Sequence, residues 1–330
     1  MQFAAAVSSA VAGLVAAPAR PARLLGAGPA AIYLAVAARA RPFIHSGRTD
    51  RFKTIAAATG MNEGSRSDRV LVLLAHDAAR LPCGLVLPTT SAELPLTSIA
   101  PTPGAACRVG DGQLSWPGPD GPVIIAIVRQ WPVARVSHGR PLPGAVVAAR
   151  AVLTEADNAA PTVLDFRRWS DGKPAQCASE QLAGALLGRG PGLTPSGDDL
   201  LAGLLLGCLS FGVRAGSLRA GVAALAPAQT TALSAELLRH AARGECVPEA
   251  AAFAAALAGR GDPVAAARRL LGVGHTSGAA LALGLILAAE SATAAATRAA
   301  VTRPAVTRPA VTRPAVTRPA VARPAATGAR

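Results

Sequence analysis

Pro143 divides the chain into two patterns of apolar residues, and that division constrains the fold more than any other feature. Before it come short β-branched runs bounded by Gly and Pro: LGAGPAAIYLAVA at 25–37, RVLVLLAHD at 69–77, CGLVLP at 83–88, AACRVGDGQLSW at 105–116 and PVIIAIVRQW at 122–131. Such runs predict the strands of a mostly antiparallel sheet, and GDGQ predicts a hairpin turn. After Pro143 the apolar residues recur at helical spacing, predicting helices at 144–156, 176–187, 198–213, 216–226, 229–243, 248–258, 263–271 and 279–290. The expected fold class is α+β: a β-rich N-terminal half with a mostly antiparallel sheet, then an all-helical C-terminal half and a disordered basic C-terminal tail.

The expected organisation follows from that division. Residues 1–24 read as an N-terminal helix or ragged start; with no charged n-region and a mostly alanine apolar stretch, they do not fit a signal peptide. Residues 25–143 form the β-rich domain, interrupted by a polar, basic insertion at 40–68. Residues 144–290 form the helical domain. Residues 291–330 form the tail, a repeat of V-T-R-P-A in which a proline at every fifth position forbids helix and central strand.

The formal charge of +14 is concentrated at the ends. Residues 61–290 hold 19 basic and 18 acidic residues, so the body is almost neutral. A nucleic-acid binder would carry a basic stripe on its folded body, and none is expected here. The five cysteines (Cys83, Cys107, Cys177, Cys208 and Cys246) include no C-x-x-C pair, so neither a zinc site nor a disulfide framework is expected. The longest mainly apolar run, Leu200–Val213, has the length of a buried helix rather than of a membrane span. The expected location is the cytoplasm.

Special residues crowd into GRGPGLTPSGDDLLAGLLLG, Gly188–Gly207. A second stretch, GVGHTSGAALALGLIL at 272–287, repeats its design. Ser196–Leu206 and Ser277–Leu287 share Ser, Gly, Leu, Gly, Leu and Leu, and each follows a glycine loop. Glycine loops that lead into helix N-termini turn backbone N–H groups toward one point, which suits phosphate or carboxylate. Ordinary capping is the alternative, by Thr194 with Pro195 at the first helical position, or by Ser196 with Asp199 three residues on. Asp199, Gly203 and Gly207 lie on one stripe, and Ala280, Gly284 and Ala288 on a matching one. Crossing on those stripes would bring both loops together. The candidate anion-binding residues are Arg189, Gly190, Gly192, Thr194, Ser196, Gly197, Gly274, Thr276, Ser277 and Gly278. Asp198, Asp199 and His275 are the candidate acid–base groups. The acid pair could instead hold Mg²⁺ with phosphate oxygens. A third stretch, QTTALSAELLRHAARGE at 229–245, adds Thr231 and Ser234 at a helix start. His45, His76, His138 and His240 have no motif around them and read as surface or core residues.

The three stretches GRGPGLTPSGDDLLAG, TTALSAELLRHAARGE and GVGHTSGAALALG together resemble the AllH-like family, which includes a subunit of oxamate carbamoyltransferase. The resemblance covers roughly 140–290 and extends more weakly to ARLLGAGPAAIYLAV and RVLVLLAHDAARLPCGLVL. It implies conversion of oxalurate and phosphate to oxamate and carbamoyl phosphate, or the reverse, in allantoin catabolism. It also implies other carbamoyltransferase subunits as partners. The Ser-Thr-Arg-Thr phosphate loop of ordinary carbamoyltransferases does not occur in this chain. Two further readings fit the same residues: a non-catalytic anion-binding or scaffold subunit, and another acyl or phosphoryl transferase on the same fold.

Overall fold

A computed structural model describes residues 1–37, 68–159 and 180–302. The expected insertion (except Asp68), residues 160–179, and the chain from 303 onward lie outside the described residues.

The N-terminal half is a closed eight-stranded barrel, not a mostly antiparallel sheet. Its strands are β1 (Gln2–Ser8), β2 (Arg20–Gly28), β3 (Ala31–Val36), β4 (Arg69–Leu74), β5 (Gly84–Val86), β6 (Cys107–Gly110), β7 (Gln113–Gly118) and β8 (Gly121–Trp131). A short helix, α1 (Ala12–Ala16), lies between β1 and β2. The order around the barrel is β1-β5-β4-β3-β2-β6-β7-β8. Two neighbouring pairs, β1 with β8 and β4 with β5, are parallel. Closure depends on β1, which pairs with β8 from Gln2↔Ile124 to Ser8↔Trp131 and with β5 through Ala6↔Val86.

Residues 1–24 therefore supply a strand, a one-turn helix and the start of another strand, where a helix or ragged start was expected. The alanines of QFAAAVS favour helix in isolation. Pairing on both edges overrides that preference, because strand propensity reflects fit to neighbours more than an intrinsic backbone choice. The expected hairpin turn is present: Asp111 and Gly112 both have positive φ, 52° and 77°, and join β6 to β7 with Gly110 opposite Gln113.

The C-terminal half contains α2 (Pro143–Ala159), α3 (Glu180–Leu186), α4 (Ser196–Phe211), α5 (Gly216–Gln229), α6 (Ala232–Ala241), α7 (Pro248–Leu257), α8 (Pro263–Leu271) and α9 (Ser277–Thr302). It is not all helical. β9 (Ala134–Arg135) and β10 (Glu245–Cys246) form an antiparallel ribbon. α9 continues to Thr302, into the segment expected as tail, because the alanine-rich stretch meets no proline until Pro304. Residues 277–298 of α9 are long and apolar enough to cross a membrane by length and composition. Here they form a core helix, with Ala280, Ala282, Leu285, Ile286, Ala288 and Ala289 buried.

α4 is buried on nearly every side, as an all-round apolar helix must be. It crosses α9 on the two glycine stripes. A Cβ at Gly203 would overlap the Leu281 carbonyl oxygen, and one at Gly284 would overlap the Leu200 carbonyl oxygen. Gly207 meets Ala288 one turn further along. The contacts advance in the same direction on both helices, so α4 and α9 run parallel and their N-termini share one end.

Gly203→Val is expected to cost about 3 kcal/mol or more, at the upper end of overpacking effects, because the obstruction is backbone and cannot rotate away. Gly216→Ala, where an added Cβ meets nothing within 4 Å, should change stability by no more than about 0.5 kcal/mol. Equilibrium denaturation of both variants checks the contrast; equal, small losses would mean that the crossing can relax.

Candidate functional site

Capping does not explain the special residues ahead of α4. Pro195 occupies the N-cap position, with no side-chain capping bond. The hydroxyls that could have capped turn instead to the second loop: Thr194 Oγ1 lies 2.9 Å from Ser277 Oγ, and Ser196 Oγ donates to Thr276 Oγ1 at 3.4 Å. The parallel crossing of α4 and α9 thus brings the two loops into contact at the shared end.

The two loops, 187–195 and 272–276, differ in length but close onto the following helix in a similar way. The Gly197 N–H donates to the Arg189 carbonyl and the Gly278 N–H to the Val273 carbonyl, at 2.8 and 2.9 Å. A Cβ at Gly197 would overlap the Leu186 carbonyl, and one at Gly278 the Leu270 carbonyl. In both cases the helix start packs against a carbonyl in the last turn of the preceding helix. At Gly190 the φ of 111° and the Ser196 nitrogen, 2.9 Å from where a Cβ would sit, both require glycine. α3–α4 and α8–α9 therefore share one helix–loop–helix design, and Asp198 and Asp199 stand where the second unit has Ala279 and Ala280.

The aspartates have separate surroundings. Asp198 is buried and accepts from the Gly188 N–H at 2.8 Å and from the Thr230 hydroxyl. Burial raises its pKa, opposed by the hydrogen bonds from Thr230 and Gly188 and by the nearby Ser234 hydroxyl. Asp198 thereby ties the first loop to the start of α6. Thr231 strengthens the same junction: it caps α6 by accepting from the Ser234 N–H at 3.1 Å and donates to the Leu193 carbonyl at 2.7 Å.

Asp199 is 6% exposed and faces the Ser277 and Thr194 hydroxyls. Its Oδ2 is buried with no hydrogen-bond partner among the described residues. Burial pushes its pKa up to about 7, assisted by the Asp198 charge and opposed by the Ser277 and Thr194 hydroxyls. Because the two carboxylates turn to different neighbours, they do not form one cradle for Mg²⁺. Among the described residues no group of three or more His, Cys, Asp or Glu is arranged to hold a metal ion.

The remaining candidates rim the junction. Arg189, Gly190, Gly274 and His275 are exposed; Gly192, Thr194, Thr276 and Ser277 are half-buried; Ser196, Gly197 and Gly278 are buried. His275 makes no hydrogen bond to either aspartate among the described residues. An open groove of about 530 Å³ along α2, lined by Val147, Arg150, Ala151, Thr154 and Glu155, contains none of these residues.

Two roles escaped the sequence reading. Thr230, expected only as an alternative to Thr231 for capping the helix, instead donates to Asp198. The second is a charge cluster on the other half of α6. Glu236 accepts from the Arg69 Nε and Nη2 at 2.9 and 2.7 Å, from the Val70 N–H and from Arg239. His240 is fully buried. Its Nδ1 lies 2.6 Å from Glu245 and its Nε2 3.2 Å from Glu236, the second contact being close but not aligned as a hydrogen bond. Arg135 and Arg243 complete the cluster on Glu245. Arg69 lies on β4 and Leu233 packs into the barrel core, so α6 is a strut between the barrel and the first glycine loop.

Barrel, strut and paired loops define a two-part protein whose helical part presents a buried carboxylate where two parallel helices begin. Residues 186–289, about a third of the chain, match the family described as oxamate carbamoyltransferase subunit AllH. No solved structure matches the chain.

Proposed function

We propose that the chain is a subunit of an oxamate carbamoyltransferase-like enzyme of allantoin breakdown, and that its paired loops hold an anionic substrate. One observation carries the reading: the family match spans 186–289, the same segment that builds both loops, the strut and the glycine crossing. Two parallel helices with adjacent N-termini concentrate positive potential at one end, which an anion or carboxylate offsets.

In the direction that makes carbamoyl phosphate, a phosphate oxygen attacks the terminal ureido carbon of oxalurate. The bond from that carbon to the oxamate nitrogen breaks, and the nitrogen takes up a proton. Negative charge grows on the carbamoyl oxygen, where preorganised N–H donors are each worth about 3–4 kcal/mol of barrier. A carboxyl with a pKa of about 7 is present in both protonation states near neutrality, which suits Asp199 to carry that proton. Asp198, engaged by Gly188 and Thr230, positions the loop. Other subunits of the enzyme are the expected partners.

The test is reconstitution. Oxalurate and phosphate should yield carbamoyl phosphate only when this chain is present with its partner subunits. Phosphate or carbamoyl phosphate at about 100 times Kd should stabilise the chain by about 2.7 kcal/mol. Gly190→Val and Gly274→Val should each abolish that gain. Loss in one variant alone would mean that the loops serve different sites; full turnover without the chain would leave it a scaffold.

A further inference from the structure

A buried carboxylate oxygen without a partner is rare, because desolvation is uncompensated. Asp199 Oδ2 is such an oxygen, and it lies in the first turn of α4, facing the hydroxyls that join the two loops. Its neighbour Asp198 is satisfied inside the chain, and its counterpart in the second helix–loop–helix unit is Ala280. The unsatisfied acceptor is therefore particular to one side of the junction.

Helix N-termini offer N–H donors, which take anionic oxygens. Ionised Asp199 offers the opposite, an acceptor that repels anionic oxygens and takes N–H donors. We infer that Asp199 is a specificity-determining residue that accepts from the –NH₂ of a ligand carrying a carboxamide beside a carboxylate, while the helix N-termini hold the anionic end. This rests on the reading of the loops as an anion site and adds which atom of the ligand is read. For a ligand to reach Asp199, the paired Thr194 and Ser277 hydroxyls, on two half-buried residues, must turn aside.

Three small acids of similar shape separate the contributions. Oxamate has a carboxylate and –NH₂, pyruvate has methyl in place of –NH₂, and oxalate has a second carboxylate. Binding is measured by calorimetry at pH 8 with the full chain, alone and assembled with its partner subunits. Oxamate should bind at least about 10-fold more tightly than pyruvate or oxalate, as expected when an N–H donor meets a buried acceptor that the analogues leave unpaired or repel. Asp199→Asn should reduce the preference over oxalate to within about 3-fold, since a neutral amide no longer repels the second carboxylate. The comparison among ligands is made on the natural chain and does not depend on the variant folding. Equal binding of all three would overturn the role of Asp199 and leave the anion site standing. Failure of all three to bind would remove the anion site and the inference together.

Discussion

Asp199→Asn is expected to lower turnover of the assembled enzyme by at least about 100-fold, the lower end of acid–base effects, and to make the chain more stable above pH 7. The stability gain follows from the carboxyl's raised pKa. The ordinary value is 3.8, and burial pushes it up to about 7 in the folded chain. Between those values the folded chain keeps a proton that the unfolded chain has released. Stability from this group is therefore full below about pH 4, falls as pH rises toward 7, and stays reduced above it. The difference between 3.8 and about 7 corresponds to a penalty on the order of 4 kcal/mol at most. An asparagine cannot ionise and escapes it. Melting temperatures of variant and natural chain should coincide near pH 4 and diverge, with the variant higher, by pH 8. A capping role makes the opposite forecast, a loss of about 0.5–2 kcal/mol with turnover intact. Finding that outcome would return Asp199 to a structural part.

The pairing of the loops was legible in the residues, because Ser, Gly and small-residue stripes recur in both stretches and small residues are where helix backbones meet. The division of labour between the aspartates was not. Successive residues on a helix point about 100° apart, so adjacency in sequence gave Asp198 to α6 and Asp199 to α9. No local pattern says which of two acids will be left without a partner. Barrel closure was hidden for a different reason. It rests on β1, whose alanines carry no strand signal, and on pairing with β8 more than a hundred residues away. His240 seemed to lack a motif because Arg69, which shares Glu236 with it, comes from the far side of the sequence. The Pro143 boundary in pattern was real, yet the ribbon of β9 and β10 crosses it, joining Arg135 to Glu245.

Glu236→Gln is expected to cost about 3–5 kcal/mol, the range for breaking one side of a buried ion pair. Its side chain has no exposure, while Arg69 and Arg239 keep about a third of theirs, 33% and 34%. The two guanidinium groups can turn toward water after the substitution, but His240 cannot. Part of the loss therefore comes from an imidazole left between one carboxylate and an amide. Burial by itself would raise the Glu236 pKa. Contacts from His240 and Arg69 and the charges of Arg239 and Arg69 overcome burial and hold the value at about 2, against an ordinary 4.5. A depressed carboxylate contributes stability that is fully present above the unfolded value and is lost as pH falls through the folded one. The gap between natural chain and variant should therefore be widest at pH 6–7 and close between about pH 4.5 and 2, as followed by urea denaturation. Arg69→Ala at pH 7 should cost less than Glu236→Gln, since it leaves Glu236 with Arg239 and His240. The reverse order would mean that the barrel is held to α6 by Arg69 packing and not by the buried carboxylate. Because α6 also begins at Thr230 and Thr231, which hold Asp198 and the Leu193 carbonyl, loosening its far end should also weaken ligand binding at the loops, with no change to any residue there.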